Sequence, residues 1–245
     1  FMDGKTLNAG ASGLNTAIGY NSALSMTTGV QNVIIGAQAG DALTNADYNV
    51  AVGPYALTSD TLGSRSTAVG FGTLVTQNFT TATDANNVAV GFQALDSNTT
   101  GGNNVAVGRE TLDFNTTGDN NTAVGQSALT ANTTASNNTA VGKSSLGANT
   151  TGADNTGLGA NALGANTTGE YNTAFGRNAL TANTTADNNT AIGYSVLCAN
   201  TTGSRITALG SFALCSNTEG IRNVALGYGT LAGNTTAGAN VAVGY

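Results

Sequence analysis

Five residues in equivalent places of a repeated sequence carry the side chains best suited to hold a ligand. Arg109, Lys143 and Arg177 follow one another at intervals of 34 residues, and such a row of cations attracts acidic sugars. Tyr194 and Tyr228 are also 34 residues apart, and their rings can stack on sugar rings or pack against another chain. We take these five as candidate ligand-binding residues. Ordinary solvated side chains are the alternative interpretation of the three cations.

Two further pairs stand one 17-residue repeat apart. Asp96 and Asp113 are close enough in this repeat to share a calcium ion, or they are exposed carboxylates separated by water. Cys198 and Cys215 form either a disulfide or a stacked pair of free thiols, because their Cα atoms fall within disulfide range while their side chains point in parallel. Both alternatives stay open for each pair.

The composition argues against enzyme chemistry and against nucleic acid as a partner. The chain has 245 residues, no His and only 8% charged residues, so the commonest general base and metal ligand is missing. We therefore expect no catalytic residue, no metal site and no cofactor. The net charge of −6, with seven Lys and Arg, leaves no basic surface for a phosphate backbone. No long apolar run predicts membrane insertion, and the start of the chain lacks the basic and apolar regions of a signal peptide. Because the chain begins on Phe1 and stops at Tyr245 partway through a repeat, we treat it as a fragment.

A 17-residue period organises almost the whole sequence. Twelve of the thirteen steps between unit starts are 17 residues long, and the exception, from Ser66 to Asn87, has 21. We therefore expect a four-residue insertion within 66–86 that leaves the regular path as a loop. Residues 15–245 form one domain of thirteen repeats and the start of a fourteenth, and residues 1–14 are a lead-in or a degenerate coil. The units begin at Asn15, Asn32, Asn49, Ser66, Asn87, Asn104, Asn121, Asn138, Asn155, Asn172, Asn189, Ile206, Asn223 and Asn240.

The columns of the repeat have different physical demands, which the unit NTAVGQSALTANTTASN at 121–137 illustrates. Position 2 is Thr or Val and position 4 is apolar, so the two share one face of a strand. Position 3 is Ala in twelve of fourteen cases, and position 5 is always Gly, as in Gly125, which suits a corner with positive φ or no room for Cβ. Position 9 is usually Leu, as in Leu129. We expect positions 4 and 9 to be the core columns.

Strands rather than helices fit this pattern. A Gly in every unit and the β-branched residues beside it oppose helix formation, and a 17-residue unit cannot bury its own few apolar side chains. Stacking units about 4.8 Å apart gives each strand a neighbour above and below. The sequence therefore predicts an all-β parallel β-solenoid, in which the Asn column at position 1 bonds from coil to coil.

The repeat resembles that of a known family. Asn-Thr-Ala-Val-Gly at 121–125, with variants at 104–108 and 189–193, resembles the repeats of the left-handed β-roll heads of trimeric autotransporter adhesins, and similar repeats occur in phage and virus tail fibres. The resemblance implies three parallel chains, an extracellular place on a cell-surface appendage or virion tail fibre, and attachment to a cell-surface glycan or protein. The unit here is longer, and its Asn-Thr-Thr-Gly stretch has no clear counterpart, so a three-sided coil is an alternative.

Self-association also follows from the residues. A lone thin solenoid buries little apolar surface, so we expect a homotrimer in which the Ala column at position 3 packs against partner chains. The alternative is that Ala is small because two sheets of one coil lie close together.

We expect a non-enzymatic extracellular fibre or adhesin segment. A structural filament subunit and an ice-binding β-solenoid are the alternatives. Thr133 and Thr134 point to opposite faces, which weakens the ice-binding interpretation.

Overall fold

Short parallel strands form at positions 2 to 4 of the repeat, where β-branched and aliphatic residues flank a small one. The computed structural model describes residues 13–245, so the lead-in expected over residues 1–14 lies mostly outside the described residues. The chain divides into two units, one ending at Asn121 and the other spanning Thr122–Tyr245.

In the first unit, one strand per repeat joins a parallel sheet of order β1-β2-β3-β5-β7-β8, and two shorter strands, β4 and β6, pair beside it. Val33, Val50 and Thr67 follow one another in register, 17 residues apart. The strands are β1 (Thr16–Ile18), β2 (Val33–Ile35), β3 (Val50–Val52), β4 (Gly63–Ser64), β5 (Thr67–Val69), β6 (Thr83–Asp84), β7 (Val88–Val90) and β8 (Val105–Val107).

In the second unit, consecutive strands pair in parallel from β9 to β16 without interruption. Thr139 lies between Thr122 and Thr156, and every later strand keeps this register. The strands are β9 (Thr122–Val124), β10 (Thr139–Val141), β11 (Thr156–Leu158), β12 (Thr173–Phe175), β13 (Thr190–Ile192), β14 (Thr207–Leu209), β15 (Val224–Leu226) and β16 (Val241–Val243). Both units are parallel β-solenoids, with about 13 turns of roughly 17 residues in all, which confirms the predicted fold class.

The Ala column lies inside the coil. Ala123, Ala140 and Ala174 are 0% exposed within a single chain, so the expectation that this column packs against partner chains is wrong. A Cβ added to Gly157, the glycine of the same column, would meet Ser145 and Leu146 of the preceding coil and Ala162 of its own. The column is small because the opposite wall of the same solenoid lies against it.

The apolar residues at position 4 face outward, which corrects their assignment to the core. Because side chains alternate along a strand, burial of position 3 places positions 2 and 4 on the other face. Phe175 is 54% exposed, Leu209 45% and Ile192 37%. The Leu column at position 9 is a core column as predicted, since Leu129 and Leu146 are fully buried.

The Gly column at position 5 turns the corner after each strand. Gly142 has φ of 128°, and a Cβ on it would lie 2.7 Å from the carbonyl oxygen of Gly159 in the next coil. This glycine is therefore required both by its positive φ and by the lack of space for a Cβ. The next turn also uses left-handed backbone at Ser144 and Leu146, with φ of 55° and 51°.

Two buried Asn ladders connect the coils. At position 1, the backbone N–H of Asn155 donates to Oδ1 of Asn138 at 2.9 Å, and Nδ2 of Asn155 donates to the carbonyl of Gly169 at 2.8 Å, which confirms the predicted ladder. A second ladder runs at position 12, where Nδ2 of Asn166 donates to Oδ1 of Asn149 at 2.8 Å. Each coil is thus joined to its neighbour by side chains as well as by backbone.

The 21-residue repeat of the first unit, residues 66–86, buries part of its additional sequence. Phe79 is buried, and Oδ1 of Asp60 accepts the backbone N–H groups of Phe79 at 3.1 Å and Gly63 at 3.0 Å. Burial raises the pKa of Asp60, although these bonds and one from Gln77 oppose the shift. Residues 80–82 are exposed, and β6 returns the chain to the regular path beside β4.

Candidate functional site

An aromatic column lines the corner that follows the strands of the second unit. It comprises Tyr194, Phe212, Tyr228 and Tyr245. The ring centroids of Tyr194 and Phe212 are 5.3 Å apart, those of Phe212 and Tyr228 5.9 Å, and those of Tyr228 and Tyr245 5.4 Å. Tyr194 and Tyr228 are 43% and 52% exposed. The structure therefore brings the two predicted tyrosines into one continuous aromatic surface.

Phe212 joins the two tyrosines, although the sequence did not single it out as a binding residue. It occupies position 7, whereas the tyrosines occupy position 6. Its ring is nearly perpendicular to both tyrosine rings, at 80° and 78°. Its backbone N–H donates to the carbonyl of Tyr194 at 3.0 Å, which holds the two coils in register. Consecutive repeats carry an aromatic residue at position 6 or 7, and this recurrence in the sequence could have indicated the contact.

The first unit has a shorter aromatic group of the same kind. Phe71 lies 5.6 Å from Tyr55 and 5.6 Å from Phe92, measured between ring centroids. Phe71 and Phe92 stack with an interplanar angle of 9°. Aromatic side chains in this column therefore contact one another wherever neighbouring coils supply them.

The three predicted cations are exposed but differ in their surroundings. In the first unit, Arg109 forms a surface ion pair with Glu110 at 2.6 Å. In the second unit, Lys143 and Arg177 lie two coils apart on either side of Ala160, and neither forms an ion pair within residues 13–245. The backbone N–H of Asn161 donates to the carbonyl of Lys143 at 3.0 Å, which holds the coil of Lys143 in register with the next coil. Two coils correspond to about 9.6 Å.

Arg205 and Arg222 form a closer cationic pair that the sequence interpretation missed. Both occupy position 17, two residues before β14 and β15 begin, and both are exposed. The backbone N–H of Arg222 donates to the carbonyl of Ser204 at 3.1 Å, so the two arginines belong to consecutive coils, about 4.8 Å apart. Their separation of 17 residues in the sequence could have indicated this pair. In these two coils, arginine precedes the strand and an aromatic residue follows it.

The outer sheet face of the second unit, formed by positions 2 and 4 of β9 to β16, lies between these two columns. It carries threonines at position 2, such as Thr190 and Thr207, beside aliphatic or aromatic side chains at position 4, such as Ile192 and Leu209. A continuous row of exposed apolar side chains on a soluble domain commonly marks an interaction surface. Phe175, Ile192 and Leu209 are exposed members of this face.

The paired aspartates have perturbed acidity. Burial raises the pKa of Asp96, and burial together with the charges of Asp96 and Glu110 raises the pKa of Asp113 to about 6. Both side chains are half-buried. Within residues 13–245, no cluster of three or more His, Cys, Asp or Glu side chains is arranged to hold a metal ion. The calcium hypothesis for this pair has no third protein carboxylate to support it.

The paired cysteines are free thiols on consecutive coils. Sγ of Cys198 donates to the carbonyl of Cys215 at 3.5 Å, and Sγ of Cys215 donates to the carbonyl of Ala232 at 3.8 Å. The structure therefore favours the stacked-thiol alternative over the disulfide.

No protein-family model matches the chain, and no curated protein is significantly similar to it. Among residues 13–245, no helix has the length and hydrophobicity that crossing a bilayer requires.

Proposed function

We propose that the chain is a non-enzymatic segment of an extracellular attachment fibre or adhesin, carried on a cell-surface appendage or a virion tail fibre. The aromatic column of the second unit is the observation that supports this function best. It presents Tyr194, Phe212 and Tyr228 in register along one edge of a regular, exposed surface. Repetition of weak contacts at this spacing gives multivalent attachment without requiring one deep pocket.

The ligand in this proposal is a cell-surface glycan that carries acidic groups. Exposed aromatic rings favour contact with the apolar faces of sugar rings, and guanidinium groups bind carboxylates in a bidentate manner. Arg205 and Phe212 lie on either side of β14, and Arg222 and Tyr228 lie on either side of β15. The two columns border the outer sheet face on opposite sides, with six residues between Arg205 and Phe212 and five between Arg222 and Tyr228. A glycan-coated surface therefore contacts each column separately, without covering the sheet face between them.

The proposed assembly is a parallel homotrimer of left-handed solenoids. The exposed apolar residues of the outer sheet face, rather than the buried Ala column, are its contact surface. Phe175, Ile192 and Leu209 lie on three consecutive strands, so they would be covered together. Three copies also multiply the number of glycan contacts.

Glycan binding by the full 245-residue chain tests the proposal. We expect binding to a panel of surface glycans, with acidic members preferred, and at least a tenfold loss of affinity in Tyr194→Ala/Tyr228→Ala. Tyr194→Phe/Tyr228→Phe should retain most of the affinity, because the ring is kept. Arg205→Ser/Arg222→Ser should lose the preference for acidic glycans but keep binding to neutral ones.

The matched control is Phe71→Ala/Phe92→Ala, which removes two exposed, stacked rings from the first unit. This variant should bind acidic glycans like the original chain, because Arg65, the arginine that precedes β5, is ion-paired with Asp84 at 3.1 Å. Circular dichroism and thermal unfolding show whether each variant keeps the solenoid. Equal binding by the Tyr194→Ala/Tyr228→Ala variant and the original chain, with both folded, would rule out the aromatic column as the attachment site.

Ice binding is a second candidate because of one observation on the outer sheet face. A row of threonines occupies position 2 of consecutive strands at regular spacing: Thr122, Thr139, Thr156, Thr173, Thr190 and Thr207. Thr133 is half-buried and donates to the carbonyl of Thr150 at 3.1 Å, whereas Thr134 is exposed, so that pair is not part of such a row. A measurement of freezing hysteresis decides this candidate, since its absence at millimolar protein excludes ice binding.

A further inference from the structure

Cys198 and Cys215 occupy the same position of consecutive coils and make the same contact. Each thiol donates to the backbone carbonyl of the residue 17 places later, at 3.5 and 3.8 Å. The coils are held in register on both sides of the pair. Leu197 N–H donates to the carbonyl of Ala213 at 2.9 Å, and Nδ2 of Asn217 donates to Oδ1 of Asn200 at 2.9 Å.

Two sulfur atoms with equivalent contacts on stacked coils are separated by about one strand spacing, or about 4.8 Å. A disulfide needs a Cβ to Cβ distance of about 3.5 to 4.5 Å and a sulfur to sulfur bond of about 2.05 Å. Parallel side chains on adjacent coils exceed both distances. Closing a disulfide would therefore pull the coils together against the backbone and Asn bonds that space them.

The same spacing suits a metal ion between the sulfurs. A zinc–thiolate bond is about 2.3 Å long, and two metal–sulfur bonds of similar length in line span about 4.6 Å. Soft thiolate ligands suit Cu(I), zinc and iron–sulfur clusters. Of these, Cu(I) accepts two ligands in line, whereas structural zinc sites need four ligands. Both thiols are only half-buried, so an ion can reach them from solvent without unfolding the coil.

We propose that Cys198 and Cys215 form a two-coordinate site for a soft monovalent metal ion, Cu(I) or its analogue Ag(I). On binding, each thiol releases its proton to solvent, and each sulfur donates one electron pair to the ion, with no change in oxidation state. The two S–H to carbonyl bonds are lost in exchange for two metal–sulfur bonds. The site is independent of the glycan-binding proposal, because it uses position 10 of the repeat rather than positions 6, 7 and 17.

Titration with Ag(I) tests the site directly, because Ag(I) needs no reductant. The reduced 245-residue chain, freed of reductant under anaerobic conditions, should bind one Ag(I) ion against a competing thiol ligand. Cys198→Ser and Cys215→Ser should each weaken binding at least 100-fold. Metal content after desalting and native mass spectrometry give the stoichiometry, and circular dichroism confirms that each variant is folded.

Two variants with the same number of cysteines distinguish the effect of the distance between the thiols from the effect of the number of thiols. Thr181→Cys/Cys215→Ser moves the pair by one coil, and we expect it to bind one ion like the original chain. Thr181→Cys/Cys198→Ser leaves its cysteines two coils apart, about 9.6 Å, and should bind no better than a single-cysteine variant.

Equal affinity in the adjacent and separated pairs would overturn the site, as would equal affinity in the original chain and the single-cysteine variants. Complete intrachain disulfide formation in the folded chain on exposure to air would also contradict it. That result would show that the sulfurs readily close to bonding distance.

Discussion

Gly157 interrupts the buried Ala column, and the preceding coil explains why. Ser145 replaces the usual Ala at position 8, and its hydroxyl donates to the carbonyl of Gly157 at 2.9 Å. A Cβ on Gly157 would lie 2.5 Å from that hydroxyl oxygen. The two departures from the repeat therefore compensate for each other. Ile34 and Gly40 show the same relation, because the Ile34 side chain lies next to the glycine that replaces the core Leu.

Gly157→Ala should lower the free energy of unfolding by about 2 kcal/mol, as overpacking of a close-packed interior does. In the Ser145→Ala background the same substitution should be neutral or stabilising, because the contact is gone and Ala is preferred to Gly within a strand. Denaturant unfolding of the two single variants and the double variant gives the coupling. Additive effects would mean that Ser145 is not what restricts this position.

Asp113 gives the molecule a pH-dependent stability. Its pKa in the folded chain is raised from the ordinary value of 3.8 to about 6, so the folded state binds this proton more tightly than the unfolded state. Stability should therefore rise as the pH falls from 7 through 6 and level off near 4. Because the side chain is half-buried, solvent screening limits the gain to about 1 kcal/mol.

Asp113→Asn should stabilise the chain at pH 7 and reduce the slope of its stability profile between pH 4 and 7, while Asp60 and Asp96, whose pKa values are also raised, keep part of that slope. Asp154→Asn, which removes an exposed carboxylate of the second unit, is the control and should leave the profile unchanged. Urea unfolding at several pH values measures both. A profile that keeps its whole slope in Asp113→Asn would place the titrating group elsewhere.

At the scale of a coil, the buried Asn ladder at position 12 is the main polar element of the interior. Asn166 donates to Oδ1 of Asn149 at 2.8 Å and to the carbonyl of Gly169 at 2.9 Å, and its own Oδ1 accepts from Asn183 at 2.8 Å. Hydrogen bonds of this kind matter most where water cannot replace them. The ladder therefore holds the coils at one spacing and in one register.

Asn166→Ala should destabilise the chain by about 3 kcal/mol, because three buried partners lose their bonds. Asn161→Ser is the control, since Asn161 also bonds to an Asn of the next coil, Asn178, at 3.3 Å, but on the surface. Its backbone is left-handed, with φ of 57°, and Ser144 has the same conformation at the equivalent position, with φ of 55°. The control should change stability by less than about 0.5 kcal/mol. Thermal and urea unfolding compare the two, and equal effects would show that burial of the ladder is unimportant.

The sequence was sufficient to predict where each coil turns and which neighbours pair. Gly125 and its equivalents mark the corner, and the Asn column at position 1 marks the coil-to-coil bonds, because each has one physical role. It was insufficient to separate inside from outside, because Ala123 and Val124 are both residues that a core accepts. Asn132 is of a residue type that favours turns, and nothing in its own repeat indicates that it is buried. Its burial depends on partners that only the stacked coils provide.

At the scale of the whole molecule, the burial of the position 3 column and the exposure of the position 4 column change the argument for self-association. The Ala column is covered within one chain, so it leaves no surface for a partner. The outer sheet face instead exposes Phe175, Ile192 and Leu209 on consecutive strands. Removing such a face from water favours association by about 25 cal/mol for each Å² of apolar surface buried.

Phe175→Thr/Ile192→Thr/Leu209→Thr should convert the proposed trimer into a monomer that keeps its fold. Threonine suits a strand, and the position 2 column already carries it on the same face, so the coils should stack as before. Light scattering and native mass spectrometry at micromolar concentration measure the assembly, and circular dichroism checks the fold. A control, Thr134→Ser/Thr151→Ser, alters exposed residues at position 14 and should leave the oligomer intact. If the original chain is already a monomer at these concentrations, the trimer is excluded, and attachment would have to rely on the columns of a single solenoid.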